Sequence, residues 1–523
     1  MAKKKTSKDI DKKSRDVSKF REDILDKYAK GKYSKIPADE QAGRSLMPPG
    51  TAKSRSFAFV GSEIPVFHSD KCVACMECII ECPDVALHAR ATTAEEMERT
   101  LDKIKDKEVR ERLKAHFGKT TKLWNVYEKK GKTPAMFSIW VDPDKCKGCA
   151  ACVAVCGGHE ALSMTSRDEA MVGDYRKEMD FLSTLPETPK EFINERLFVD
   201  MFLRPDVRTY EGGAGSCSGC GEITGLNMAM TATAAKYGKN FVIVAATGCN
   251  SVYSSTYPYS IFDVPWTNSL FENAAPTALG VRLRLDQTGK KDTKVWAVGG
   301  DGAMFDIGFQ SLSRVLTSQR DINILVLDTQ AYSNTGGQTS GATYTGQNAK
   351  MSAHGKAISG KMEDRKELGL IAMMHPDVFV AQVSPGYINH YLRAVSEAID
   401  YPGPSVIIAY SACMPEHGIS DDAAYDRAKA AVISRAFPLY TYDPRKGDSM
   451  KERLDLKGNP SVNEDWHKDK NTGEVYDFVW FASGEGRFAK QFKNGKPSET
   501  LLQSQENRVK NWRLLKEFAG LSK

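Results

Sequence analysis

At 523 residues the chain is long enough for two or three domains with cores of their own. Its 27% charged and 41% hydrophobic residues are those of a globular protein, which excludes disorder over most of its length. Much of the net charge of +6 sits in a lysine-rich start without interleaved aromatics or an apolar segment, so neither nucleic-acid binding nor a signal peptide is expected. No apolar run approaches the roughly 18 residues of a membrane span, and the expectation is a soluble, cytoplasmic protein without a membrane partner.

Residues 1–60 are polar, with a loop-like Met47-Pro-Pro-Gly50, and read as a connector or an arm that wraps a partner subunit absent from this sequence. Residues 61–166 form an internal repeat of strand, cysteine loop and strand, with strand candidates Ile64–His68, Val85–His88, Phe137–Val141 and Ala161–Met164. The two loops carry Cys72, Cys75, Cys78 and Cys82, and Cys146, Cys149, Cys152 and Cys156. Three thiolates spaced by two residues can surround one cluster, while the fourth cysteine of a two-cluster ferredoxin ligates the other. One [4Fe–4S] site is therefore expected on Cys72, Cys75, Cys78 and Cys156, and another on Cys146, Cys149, Cys152 and Cys82. Zinc ribbons, the alternative, pair two cysteines and do not place four in one run. Gly157 stands where such a run usually has proline. Between the loops, 95–117 reads as one charged amphipathic helix with Met97, Leu101, Ile104, Val109 and Leu113 on its apolar side.

Residues 167–208 read as a charged, partly helical linker. Residues 209–440 alternate strand candidates (Phe241–Ala246, Val295–Val298, Ile322–Leu327, Val378–Val383, Val406–Tyr410) with helices (Leu226–Tyr237, Ile307–Leu316, Ile388–Ile399). This predicts an α/β domain, a mostly parallel, doubly wound sheet covered on both faces, preceded by the smaller α+β ferredoxin-like unit. In such sheets ligands bind at the turns after the strands. Two of those turns stand out: Gly300-Asp301-Gly302-Ala303, where glycine lets the backbone approach a bound group, and Thr329-Gln330-Ala331-Tyr332-Ser333-Asn334, rich in oxygen donors of the kind Mg²⁺ accepts beside phosphate. The remaining cysteines, Cys217, Cys220, Cys249 and Cys413, also fall on turns.

GDG followed after some twenty-five residues by a polar ligand resembles the motif of thiamine diphosphate enzymes, and DTQAYSNTGGQ, CSGCGE, TGC and ACMPEHGI are similar to segments of pyruvate:ferredoxin oxidoreductases. The resemblance implies thiamine diphosphate with Mg²⁺ on Asp301, Thr329 and the Ala331 carbonyl, and Asn334 at the reacting end. It also implies a third [4Fe–4S] cluster on Cys217, Cys220, Cys249 and Cys413, with Glu222 and Cys249 lining the thiamine pocket. The implied activity is oxidative decarboxylation of pyruvate with coenzyme A as co-substrate and ferredoxin or flavodoxin as acceptor; 2-oxoglutarate or a branched 2-oxoacid is the alternative substrate. A non-redox thiamine decarboxylase and a pure electron-relay subunit are the alternatives in kind. No second α/β domain supplies the glutamate that activates thiamine, so partner subunits in a hetero-oligomer with two copies of this chain are expected to do so. His417 is taken as a turn residue beside a cluster loop, and 441–523 as an arm that crosses a subunit or covers a cluster.

Overall fold

The computed structural model describes residues 17–39, 46–355 and 359–521. Its centre is an eight-stranded sheet in the order Leu454–Asp455, Tyr440–Tyr442, Phe379–Val383, Ser405–Tyr410, Asn323–Asp328, Lys294–Gly300, Phe241–Ala245 and Trp266–Asn268. The last six run parallel, and the first two join antiparallel. The strands read as unbroken apolar runs because both faces are covered. Ile243, Trp296, Val298, Leu325 and Leu327 face a core shared with the helices Gly221–Tyr237 and Ile388–Ile399. Val244, Val295, Ala297, Ile324 and Val326 face a second core with Leu312, Leu316 and Leu368. Burying each such side chain is worth about 1.5–3 kcal/mol.

The ferredoxin-like unit follows the expected repeat, and its halves interlock. Glu63–Phe67 pairs antiparallel with Leu162–Ser166, and Leu87–Thr93 with Ala135–Val141, so each strand lies against one from the other half. The second strand starts later than expected because Val85 adopts φ +51 and ends the turn after Cys82. The single helix expected over 95–117 is two, Ala94–Leu101 and Lys107–Ala115. The cause is Asp106, whose carboxylate accepts the amides of Glu108 and Val109 and so starts a new helix. Phe117 then pairs with Ser138 as a short strand.

Both arms make contacts within this chain. In the described part of 1–60, Phe20, Ile24 and Leu25 pack with Tyr259, and the Thr51 hydroxyl donates to the Pro258 carbonyl at 2.9 Å. The tail 441–523 is folded onto the sheet domain. It contributes two edge strands, an aromatic cluster of Phe478, Phe481 and Phe488 around Tyr344, and the helix Glu499–Phe518 with Trp512 fully buried. No helix among the described residues is long and apolar enough to cross a membrane.

Candidate functional site

The parallel strands end at one rim, and both motif turns stand on it. Asp301 follows Lys294–Gly300 and opens a π-helical turn, Gly302–Ile307, while Thr329 follows the neighbouring strand Asn323–Asp328. Asp301 is buried, and its Oδ1 accepts the Thr329 amide at 3.2 Å and the Thr329 hydroxyl at 3.1 Å. The same hydroxyl lies 3.0 Å from the Ala331 carbonyl. Oxygens that share an octahedral Mg²⁺ at about 2.05 Å stand about 2.9 Å apart when adjacent, so the three donors fit this ion. Burial pushes the Asp301 carboxyl up to about 7, with the charge of Asp328 as a further cause. Such a carboxylate calls for a cation.

The Ala331 carbonyl turns back because Gln330 is left-handed, φ +57. That costly conformation is held by bonds on every side. The Gln330 amide donates to Asp328 at 3.1 Å, its carbonyl accepts from Thr343 at 2.7 Å and Gln347 at 3.0 Å, and its side-chain oxygen accepts from Arg487 at 3.0 Å. Asp328 in turn pairs with buried Arg365. Gln330, expected among the cofactor contacts, is thus turned away from the cavity and shapes the loop instead. Gly302 stays on the cavity wall, and its bareness admits the Tyr332 ring: a Cβ there would stand 2.3 Å from it.

The other expected contacts, Glu222, Cys249, Gly300, Asp301, Ala303, Thr329, Ala331, Tyr332, Ser333 and Asn334, line one cavity of about 350 Å³ together with Gly302. Thr247, Asn250 and Phe271 also line it and were not anticipated. Asn250 is 1% exposed, and neither end of its amide has a protein partner. Its position directly after Cys249 at a strand end was the available signal. A second missed residue, Ser340, donates to the other oxygen of Asp301.

Beside this cavity lies another, walled by Cys217, Cys220, Cys249 and Cys413. Glu222, Cys249, Thr329 and Asn334 line both. Gly221 seats Cys220 here: its amide donates to the Ala412 carbonyl at 3.1 Å, and a Cβ would stand 2.8 Å from the Ala412 nitrogen. Burial pushes Glu222 up to about 8, with Asp301 as a further cause. His417 is fully buried in the short helix Met414–His417 and is not an exposed turn residue. Its Nε2 lies 2.9 Å from the Thr329 carbonyl, and its Nδ1 accepts the Cys413 amide at 3.4 Å, so it braces one loop against the other.

The ferredoxin-like unit gathers its cysteines in the expected crossed pattern. Cys72, Cys75, Cys78 and Cys156 line one cavity, and Cys82, Cys146, Cys149 and Cys152 another. Both loops repeat one backbone device, left-handed residues two and four places after the first cysteine: Ala74 and Met76, Gly148 and Ala150. All twelve cysteines are free. Burial pushes the thiols of Cys72, Cys78, Cys82 and Cys152 up. The second quartet adjoins the third where the Gly219 amide comes near Cys149 and moderates the upward shift that burial gives its thiol. Lys147 clamps the junction, paired with buried Asp84 at 2.7 Å and donating to the Ser216 carbonyl at 2.9 Å.

Residues 246–409 match the family model "Thiamine pyrophosphate enzyme, C-terminal TPP binding domain". The chain is 31% identical over 77% of its length to a probable pyruvate-flavodoxin oxidoreductase of Escherichia coli, covering 38% of that protein. It is 29% identical over 94% of its length to a pyruvate-flavodoxin oxidoreductase of Rhodospirillum rubrum, covering 44% of it. With a pyruvate:ferredoxin oxidoreductase of Moorella thermoacetica it shares 28% identity over 79% of its length and 39% of the relative's. The chain thus spans about two fifths of the length of these relatives. These findings support a member of the pyruvate:ferredoxin (flavodoxin) oxidoreductase family.

Proposed function

We propose that this chain is the thiamine- and cluster-bearing part of an enzyme that converts pyruvate and coenzyme A to acetyl-CoA and CO₂, with two electrons passed to ferredoxin or flavodoxin. One observation carries the proposal: a cavity with an oxygen-lined metal cradle and a cavity with four cysteines have Glu222, Cys249, Thr329 and Asn334 as a common wall. A non-redox decarboxylase has no use for that wall, and a relay subunit has no use for the cradle. The names of the relatives supply the substrate and the acceptor.

Asp301, Thr329 and the Ala331 carbonyl would hold Mg²⁺ with the diphosphate of thiamine. Bound thiamine diphosphate supplies a positive thiazolium that accepts the electron pair left when a 2-oxoacid loses CO₂. Asn334 orients the reacting group, and its amide polarises without titrating. Glu222, buried, lines the common wall with Cys249. Cys217, Cys220, Cys249 and Cys413 would hold the one-electron acceptor, and the two quartets of the ferredoxin-like unit the onward relay to the acceptor protein. The glutamate that activates thiamine, and the contacts for coenzyme A and the substrate carboxylate, belong to polypeptide outside this sequence, in an assembly with two copies of this chain.

The test is anaerobic. Pyruvate with coenzyme A should bleach the cluster absorption of the assembled enzyme and yield acetyl-CoA, and in a panel of 2-oxoacids pyruvate should give the highest kcat/KM. Release of CO₂ with the clusters still oxidised would overturn the redox assignment, and preference for 2-oxoglutarate or a branched 2-oxoacid the substrate.

A further inference from the structure

Tyr253 lies on the helix Cys249–Ser254, is 3% exposed and lines the cavity walled by Cys217, Cys220, Cys249 and Cys413. Its hydroxyl has no hydrogen-bond partner in the protein. Other buried tyrosines of the chain spend theirs on protein acceptors: Tyr210 donates to the Pro83 carbonyl at 2.9 Å, Tyr391 to the Gly225 carbonyl at 2.8 Å and Tyr344 to the Ala436 carbonyl at 2.9 Å. A buried O–H left without an acceptor is costly, and native proteins rarely keep one without a use. The same cavity is lined by the apolar Val252, Ala412, Met414 and Pro415 and by Ser216, Glu222, Thr329 and Asn334, none of which bonds the hydroxyl. Cys217, Cys220, Cys249 and Cys413, the expected cluster ligands, complete its lining.

We propose that Tyr253 donates its hydroxyl proton to a sulfur of the iron–sulfur cluster held by Cys217, Cys220, Cys249 and Cys413, and thereby raises the reduction potential of that cluster alone. The inference rests on the cluster assignment made above. Its direction follows from charge: reduction makes the cluster more negative, so a hydrogen bond to sulfur strengthens in the reduced form and favours electron uptake. The donor is built into the protein at the first acceptor of the relay, the one required to take electrons from the thiamine cavity. The second and third acceptors lie in the ferredoxin-like unit, away from this hydroxyl.

The experiment compares wild type with Tyr253→Phe, which keeps the ring and its packing, in the anaerobically assembled enzyme. Iron and sulfide are counted, and each cluster is titrated by electron paramagnetic resonance, the innermost signal being the one lost in Cys413→Ser. The expected result is unchanged iron, a shift of the innermost potential to lower values, and no shift in the other two. A deuterium-exchangeable proton coupled to the innermost cluster should also vanish in Tyr253→Phe. A full set of three clusters with an unmoved innermost potential overturns the role of Tyr253 and leaves the cluster assignment standing. Only two clusters in wild type overturns both.

Discussion

The two cysteine quartets of the ferredoxin-like unit and the third quartet on the sheet rim are built by opposite means. In the unit, each loop supplies three sulfurs from a stretch of seven residues, Cys72 to Cys78 and Cys146 to Cys152, and pairing of the two half-repeats brings in the fourth. On the rim, Cys217, Cys220, Cys249 and Cys413 meet only because three chain segments end at one edge of a finished sheet. The local sites depend on loop conformation, the rim site on topology. Only the rim site has a wall in common with the metal cradle, so only it should respond when that cradle is altered.

The largest effect expected is on the cradle itself. Asp301→Asn keeps the shape but removes the charge that holds Mg²⁺, and affinity for thiamine diphosphate should fall on the order of 100-fold or more, since even outer-shell changes at metal sites cost 10- to 100-fold. Iron in the ferredoxin-like unit should stay at the wild-type level in the same sample. Loss of iron from all three quartets would break the contrast between local and topological sites. Next in size, Cys413→Ser should remove about four irons, one cube, and leave the ferredoxin-like unit loaded, whereas Cys149→Ser should remove about four and leave thiamine binding intact. Iron analysis with calorimetric titration of thiamine diphosphate separates these outcomes.

The same contrast decides what could be read before the fold was seen. The cysteine loops were legible because their ligands are neighbours in sequence and their left-handed residues come at fixed offsets. The strands were legible because burial on both faces leaves unbroken apolar runs such as Val295–Val298. Asp301 and Thr329 were found through turn chemistry. Ser340, Asn250 and Tyr253 were not, because each is an ordinary polar residue whose meaning comes from what the fold places opposite it. The helix break at Asp106 was missed because its apolar spacing continues across the break, and only the cap reveals the restart. The role of the tail was hidden because Arg487 reaches Gln330 across the folded domain, and nothing near it in sequence announces that.

That tail offers a third test. Arg487 is fully buried, pairs with Glu485 at 2.6 Å and holds the left-handed Gln330, while Glu485 keeps a second partner in Arg427 at 3.2 Å. Arg487→Met should cost about 3 kcal/mol of stability, the low end for breaking a buried pair, because Arg427 remains to offset the stranded carboxylate. Thermal unfolding followed beside thiamine affinity should show both falling. The unit's two quartets, to which neither Arg487 nor Glu485 bonds, should keep their iron.

The smallest and sharpest prediction concerns Ser340. Its hydroxyl donates to Asp301 Oδ2, and its own amide accepts no role in the cradle, since it donates at 2.9 Å to the Thr343 hydroxyl. Ser340→Ala therefore removes the bond that aims the carboxylate and the acceptor of the Ala342 amide at 3.2 Å, while the Ser340 amide keeps Thr343. Affinity for Mg²⁺ with thiamine diphosphate should drop by about 10-fold, the lower end for an orienting partner. Stability should change by about 1 kcal/mol. If affinity falls as far as in Asp301→Asn, the oxygen aimed by Ser340 matters as much as the charge; if it does not move, the two Thr329 bonds to Oδ1 alone fix the carboxylate.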